Sequence, residues 1–193
     1  LLYYFYTKLI FMLTVLVTLI MIFLSFHVLP LAIGINIKSH PLKSLLTFIL
    51  IVSIQVFIYW LGIWAGNMFM YLMDGFSGVI IFIGFLLIGI RMLMEVFNIR
   101  KGERSYSHEK FWHIALASLA QGINSFLVGL MFYYIPTINV RYTLIVLLIA
   151  VSVISLIGLF MKSQKLNLVF ASLLYAIGGI GMLFSGCFLA FYY

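Results

Sequence analysis

The sequence predicts an all-α integral membrane protein of six transmembrane helices, built as two inverted three-helix repeats. Three observations carry that expectation. Of 193 residues, 66% are hydrophobic and 8% charged, with a mean hydropathy of +1.27, too little polar surface to coat a globule in water. The apolar residues gather into stretches of about 20 or more, the length that crosses a hydrocarbon core of roughly 30 Å. Short motifs also recur in the same order in the two halves of the chain.

The first span, at about 9–36, is far longer than the apolar core of a signal peptide. No small-residue cleavage site followed by a polar domain comes after it, so it is expected to stay as a helix. It ends in "SFHVLPLAIG", which places His27, Pro30 and Gly34 in one apolar run. Pro30 lacks an N–H and its ring clashes with the preceding turn, so a carbonyl about one turn earlier is left unpaired.

The second span, at about 44–66, holds Gln55 and a G-x-x-x-G face made by Gly62 and Gly66, the pattern that lets helix backbones approach closely in lipid. The third, at about 71–97, begins near Asp74 in "MDGFSG", read as a backbone cap at an external turn. Near its end lie Arg91 and Glu95, four residues apart as an intrahelical ion pair requires. The longest polar connection, "NIRKGERSYSHEK" at 98–110, separates the first repeat, about 9–97, from the second, about 112–191.

The fourth span, at about 112–134, carries the polar run "QGINS" with Gln121 and Asn124. The fifth lies at about 142–162, and the sixth, at about 167–191, is thinned by Gly178, Gly179, Gly181 and Gly186. "HEKFWH" at 108–113 is not a zinc-protease helix, because His108 and His113 stand five apart rather than four. Trp112 there is read as an interfacial anchor. Cys187 is the single cysteine and has no internal partner for a disulfide.

Orientation follows from the cations. Lys38, Lys43, Arg100, Lys101, Arg104, Lys110, Lys162 and Lys165 fall on one side, against Lys8 and Arg141 on the other. By the positive-inside rule the connections after spans one, three and five are cytoplasmic, 98–110 among them, and both termini face outward. The pI of about 9.6 then reflects orientation signals beside an anionic leaflet. There is no stacked-aromatic or basic-groove pattern of a nucleic-acid binder. The expected partner is the lipid bilayer, and the expected location is the cell inner membrane.

The repeats rest on "IGIRML" at 88–93 against "GGIGML" at 178–183, and "LGIW" at 61–64 against "IGLF" at 157–160. By elimination "HVLPLAIG" falls beside "NSFLVGLM", which sets His27 opposite Asn124. An odd number of helices per half forces opposite membrane orientations, the plan of many secondary transporters with a midplane site between repeats.

From about Ser25 to Phe184 the order of features resembles the small six-helix manganese efflux pumps, the MntP-like family of the lysine-exporter superfamily. "GIRMLMEVF", with Arg91 and Glu95, is similar to the family's Gly-Arg-Met…Glu segment. "HVLPLAIG" has the shape of its first helix, with His27 in the place of an aspartate and Gly34 matching a glycine. "GINSFLVG" places Asn124 where the family has a second aspartate, and "QVFIYWLGIWAG" places Gln55 where an acid is expected. The resemblance implies a membrane transporter, manganese as the exported ion rather than a cofactor, and His27 and Asn124 as the positions of its metal ligands.

Manganese prefers oxygen ligands, though imidazole is acceptable to most transition metals. Here both acids are replaced, which removes the charge that would pair a dication in the membrane interior. Two readings therefore stand for each polar residue. His27 either meets the ion or donates to backbone frayed by Pro30. Asn124, with Gln121, either lines a cavity or bonds across a small-residue seam. Arg91 and Glu95 either form an interfacial salt bridge or mark where an ion comes in, while Gly62, Gly66, Gly178 and Gly181 serve packing.

The leading expectation is divalent-cation efflux through a path of His27, Asn124, Gln55, Gln121 and Glu95. The alternatives are export of a small organic or amino-acid solute and a degenerate, non-transporting membrane protein. An enzyme is not expected, since no nucleophile and base, metal cluster or carboxylate pair stands out in the sequence.

Overall fold

The computed structural model describes residues 2–33, 41–100, 111–161 and 164–192, and its described elements are all helical. They are α1 (Leu2–Ser25), a 3-10 turn (Phe26–Val28), α2 (Leu29–Ile33), α3 (Pro41–Phe69), a 3-10 segment (Met70–Phe76), α4 (Ser77–Arg100), α5 (Phe111–Met131), a second 3-10 turn (Phe132–Tyr134), α6 (Val140–Phe160) and α7 (Lys165–Tyr192). Gly34, His108 and residues 101–110 of the long polar connection lie outside the described residues.

Five stretches are long and apolar enough to cross a membrane: Thr7–Ile33, Pro41–Arg100, Trp112–Tyr134, Val140–Phe160 and Lys165–Tyr192. The chain is a multi-pass membrane protein. The second stretch has 60 residues and would be about 90 Å long as one straight helix, some three times the hydrocarbon thickness. It is broken in the 3-10 segment, where Met73 leaves helical geometry at φ −122° and ψ 20°. On either side of the break the contacts with α5 run in opposite order. Along α3, Gln55 meets Ser118, Gly62 meets Phe126 and Gly66 meets Leu130; along α4, Gly84 meets Met131 and Arg91 meets Asn124. The two arms are therefore antiparallel. The expected start of the third helix at about 71 falls in the turn instead, because the non-helical Met73 and the following Asp74-Gly75 delay the α-helix to Ser77.

The break that Pro30 predicts is present. With no N–H at position 30, the Phe26 carbonyl takes the Leu29 N–H instead, and α1 passes through a single 3-10 turn before α2.

The distribution of side chains suits a lipid solvent. Large apolar groups such as Phe11, Phe57, Trp64, Leu87, Phe97 and Phe184 face outward, whereas His27, Gln55, Ser118, Gln121, Asn124, Ser125 and Thr143 are buried. In hydrocarbon the polar groups must find partners inside the bundle.

The closest helix pairs are α3 with α5 and α4 with α7, and glycines account for both. A Cβ on Gly62 would overlap the Phe126 carbonyl, and one on Gly129 would overlap the Tyr59 carbonyl, so the two backbones touch at that crossing. At the other crossing, a Cβ on Gly89 would lie 2.9 Å from the Gly179 carbonyl oxygen, and one on Gly179 would lie 3.0 Å from that of Gly89. A Cβ on Gly158 would lie 3.2 Å from the Leu29 carbonyl oxygen. In the sequence alignment of the halves, Gly89 corresponds to Gly179, Gly62 to Gly158 and Leu29 to Phe126. Gly178 packs on the Phe23 carbonyl and Met92, and Gly181 on the Phe23 ring.

Candidate functional site

The polar residues of the interior converge where the Pro30 break meets α3, α4 and α5. The break keeps His27 fully buried and turns both its ring nitrogens toward oxygens: Nδ1 toward the Leu24 carbonyl, and Nε2 toward Gln55 Oε1 at 2.9 Å. A neutral imidazole has one N–H and donates to only one of these at a time.

Gln55 is the hub. Its Nε2 donates to the Ser118 carbonyl at 2.9 Å and approaches Ser118 Oγ at 3.3 Å, and its Oε1 also accepts from the Ser125 hydroxyl at 2.8 Å. A backbone carbonyl can only accept, so Ser118 fixes which end of the amide is which. The amide therefore ties α3 to α5 and, through His27, to the break after α1. Asn124 immediately precedes Ser125 on α5, is 1% exposed, and accepts at Oδ1 from Arg91 Nη1 at 3.1 Å. Arg91 Nη2 donates to the Ala120 carbonyl at 2.7 Å. Gln121 is buried on the same helix, and its Oε1 has no hydrogen-bond partner among the described residues.

His27, Gln55, Ser118 and Ser125 thus form one buried hydrogen-bond network, whereas Asn124, next to Ser125 in the chain, bonds to Arg91. Of the candidate path residues, His27 and Gln55 belong to that network, Asn124 is held by Arg91 beside it, Gln121 on α5 contributes an oxygen unpartnered among the described residues, and Glu95 lies one turn beyond Arg91 on α4. Ser118, Ser125 and the Ala120 carbonyl were not singled out from the sequence. Their signal was the spacing of Ser118, Gln121 and Ser125, three and then four residues apart, which puts one polar stripe on α5. Arg91 also does more than an interfacial pair with Glu95 would require, since it crosses to α5.

Among the described residues, no group of three or more His, Cys, Asp or Glu side chains is arranged to hold a metal ion. The oxygens at the network are neutral amides, hydroxyls and carbonyls. The grooves along Leu16, Phe23 and Phe184, and along Ile22, Val146 and Val153, lie on other faces and are almost wholly apolar, suited to acyl chains rather than to an ion.

Gln55→Leu should be costly. It strips the partner from His27 Nε2 and from the Ser125 hydroxyl, and each buried group left unpaired costs about 1–3 kcal/mol. The expected result is a destabilisation of roughly 2–4 kcal/mol on that scale, read as earlier thermal unfolding in detergent. An unchanged unfolding temperature would remove Gln55 from the hub.

The sequence model of the Mntp family, described as "Putative manganese efflux pump", matches residues 38–189. Among curated proteins and among solved structures, nothing matches the chain.

Proposed function

The chain belongs to the Mntp family, and from that membership we propose that it exports a divalent cation, manganese by family, past the buried polar side chains of His27, Gln55 and Asn124. The observation that carries this reading is a concentration of buried polar contacts: His27, Gln55, Ser118 and Ser125 bond across the break after α1, α3 and α5, and Arg91 of α4 bonds to the neighbouring Asn124. Buried polar groups in a membrane protein are expensive and mark ion and substrate paths.

In this reading the antiparallel arms of Pro41–Arg100 are separate spans, which gives six, and the halves are inverted repeats. The reciprocal approach of Gly89 and Gly179 supports a two-fold axis between α4 and α7, and the matching seats of Gly62 on Phe126 and Gly158 on Leu29 support the same axis. His27 and Asn124 are then equivalent positions of the two halves. Asn124 Oδ1, Gln121 Oε1 and Gln55 Oε1 offer oxygens of the kind manganese prefers, and His27 an imidazole. Neutral ligands hold a dication loosely, which suits a site that must release its ion on the far side.

A second reading, export of a small organic or amino-acid solute, is favoured by one observation: the Arg91 guanidinium sits on a neutral amide oxygen. Expression in a manganese-sensitive host separates the two. The first reading expects rescue of growth in manganese, and no rescue by a correctly inserted protein would favour the second.

The orientation is proposed from the cation bias, with the 98–110 connection cytoplasmic and both termini outside in a bacterial-type inner membrane. Single cysteines introduced into that connection, in a background with Cys187 replaced, should resist membrane-impermeant thiol reagents in intact cells. Labelling there would reverse the topology.

A further inference from the structure

Three residues spaced over about one turn of α5 carry candidate oxygens: the Ala120 carbonyl, Gln121 Oε1 and Asn124 Oδ1. Gln121 is 4% exposed and its Oε1 is unpartnered among the described residues, while Asn124 is 1% exposed. Two of the three oxygens are taken by one side chain from another helix, since the Arg91 fork donates to Asn124 at 3.1 Å and to Ala120 at 2.7 Å. Guanidinium is always charged and its planar fork has fixed geometry. It sits on oxygens that a hard cation would coordinate, and brings one positive charge there, half that of a dication.

Resting on the divalent-cation reading above, we propose that Arg91 is a tethered cation that holds the oxygens of Asn124 and Ala120 when no ion is bound and is displaced when one arrives. A dication and a guanidinium a few ångströms apart in a medium of low dielectric repel strongly, so the two occupy these oxygens in turn. The displaced guanidinium has a carboxylate within reach, because Glu95 stands one turn further along the same helix. Its return drives the ion off. Arg91 then sets both the affinity of the site and the rate of release, and the α5 turn around Gln121 is where the ion sits during exchange.

The test compares manganese binding by the purified full chain in detergent with manganese flux in reconstituted vesicles, for the wild type, Arg91→Gln and Arg91→Lys. Removing the competitor in Arg91→Gln should tighten manganese binding about tenfold or more and slow flux by a similar factor, as release loses its driver. Arg91→Lys keeps the charge as one ammonium that cannot span both oxygens. It should bind about threefold tighter and move manganese at an intermediate rate. It also carries the test if Arg91→Gln does not fold. A residue that only braces α4 against α5 would lose binding and flux together. Binding by the variants that is unchanged or weaker, with wild-type flux intact, overturns the tethered cation and leaves manganese export standing. A folded wild type that neither binds nor moves manganese overturns both.

Discussion

Replacing Gly62 with valine should abolish recovery of folded protein. Any Cβ at this position overlaps the carbonyl oxygen of Phe126, and the obstacle is backbone within α5 rather than the movable end of a side chain. Relief requires α3 and α5 to separate along one of the two closest helix contacts in the molecule. Overpacking typically costs about 1–3 kcal/mol and more where the surroundings cannot give. Separation here would also stretch the bonds that Gln55 makes to Ser118 and Ser125. At Gly158 an added Cβ meets Ala32 Cβ at 2.5 Å and the Leu29 carbonyl oxygen at 3.2 Å, and Gly158→Val should fail in the same way. Gly75→Ala is the control, since nothing lies within 4 Å of its added Cβ. Size-exclusion profiles in detergent check all three. A monodisperse Gly62→Val protein at wild-type yield would mean that the α3–α5 crossing is looser than described.

The second large effect is a gain. His27→Asp together with Asn124→Asp supplies two acids at the proposed site and should raise manganese tolerance in a sensitive host. The surroundings of the two positions differ. A carboxylate at position 124 meets Arg91 in place of the neutral amide it now bonds, so its burial is offset by a charge-assisted pair. At position 27 the nearest polar partners are oxygens, the Leu24 carbonyl and Gln55 Oε1, and a carboxylate there needs a cation or a proton. The double variant is therefore stable chiefly with its ion bound, and added manganese should raise its unfolding temperature more than that of the wild type. Flat tolerance and lowered stability, in a variant shown to be inserted, is the outcome expected of an organic-solute exporter, because a buried carboxylate without its counter-ion costs several kcal/mol.

The helices and the break at Pro30 were legible because their causes are local: length of apolar run, and a missing N–H. The turn near Met73 was legible only to within a few residues. "MYLMDGF" is apolar enough to read as the start of a span, and the departure from helical φ and ψ is a tertiary outcome. The pairing of His27 with Asn124 came from aligning the halves; in the structure His27 bonds to Gln55, which also holds Ser125, and Asn124 bonds to Arg91. Of these, Gln55 stands out as a polar residue in an apolar helix. Ser118 and Ser125 do not, since a serine in a membrane helix commonly bonds to its own backbone. The reach of Arg91 to α5 was hidden for another reason. Glu95 four residues on offers a sufficient local explanation, and only packing reveals that the fork is turned toward Asn124 and Ala120.

Manganese export can be measured with purified protein in vesicles loaded with a manganese-quenched dye. The wild type should show saturable manganese flux, retained in Gly75→Ala and reduced at least about tenfold in Gln55→Leu and in Asn124→Leu, the loss expected when a buried polar contact of roughly 1.4 kcal/mol is removed. Flux no greater than in protein-free vesicles, from a wild-type protein that is folded and inserted, would contradict manganese export.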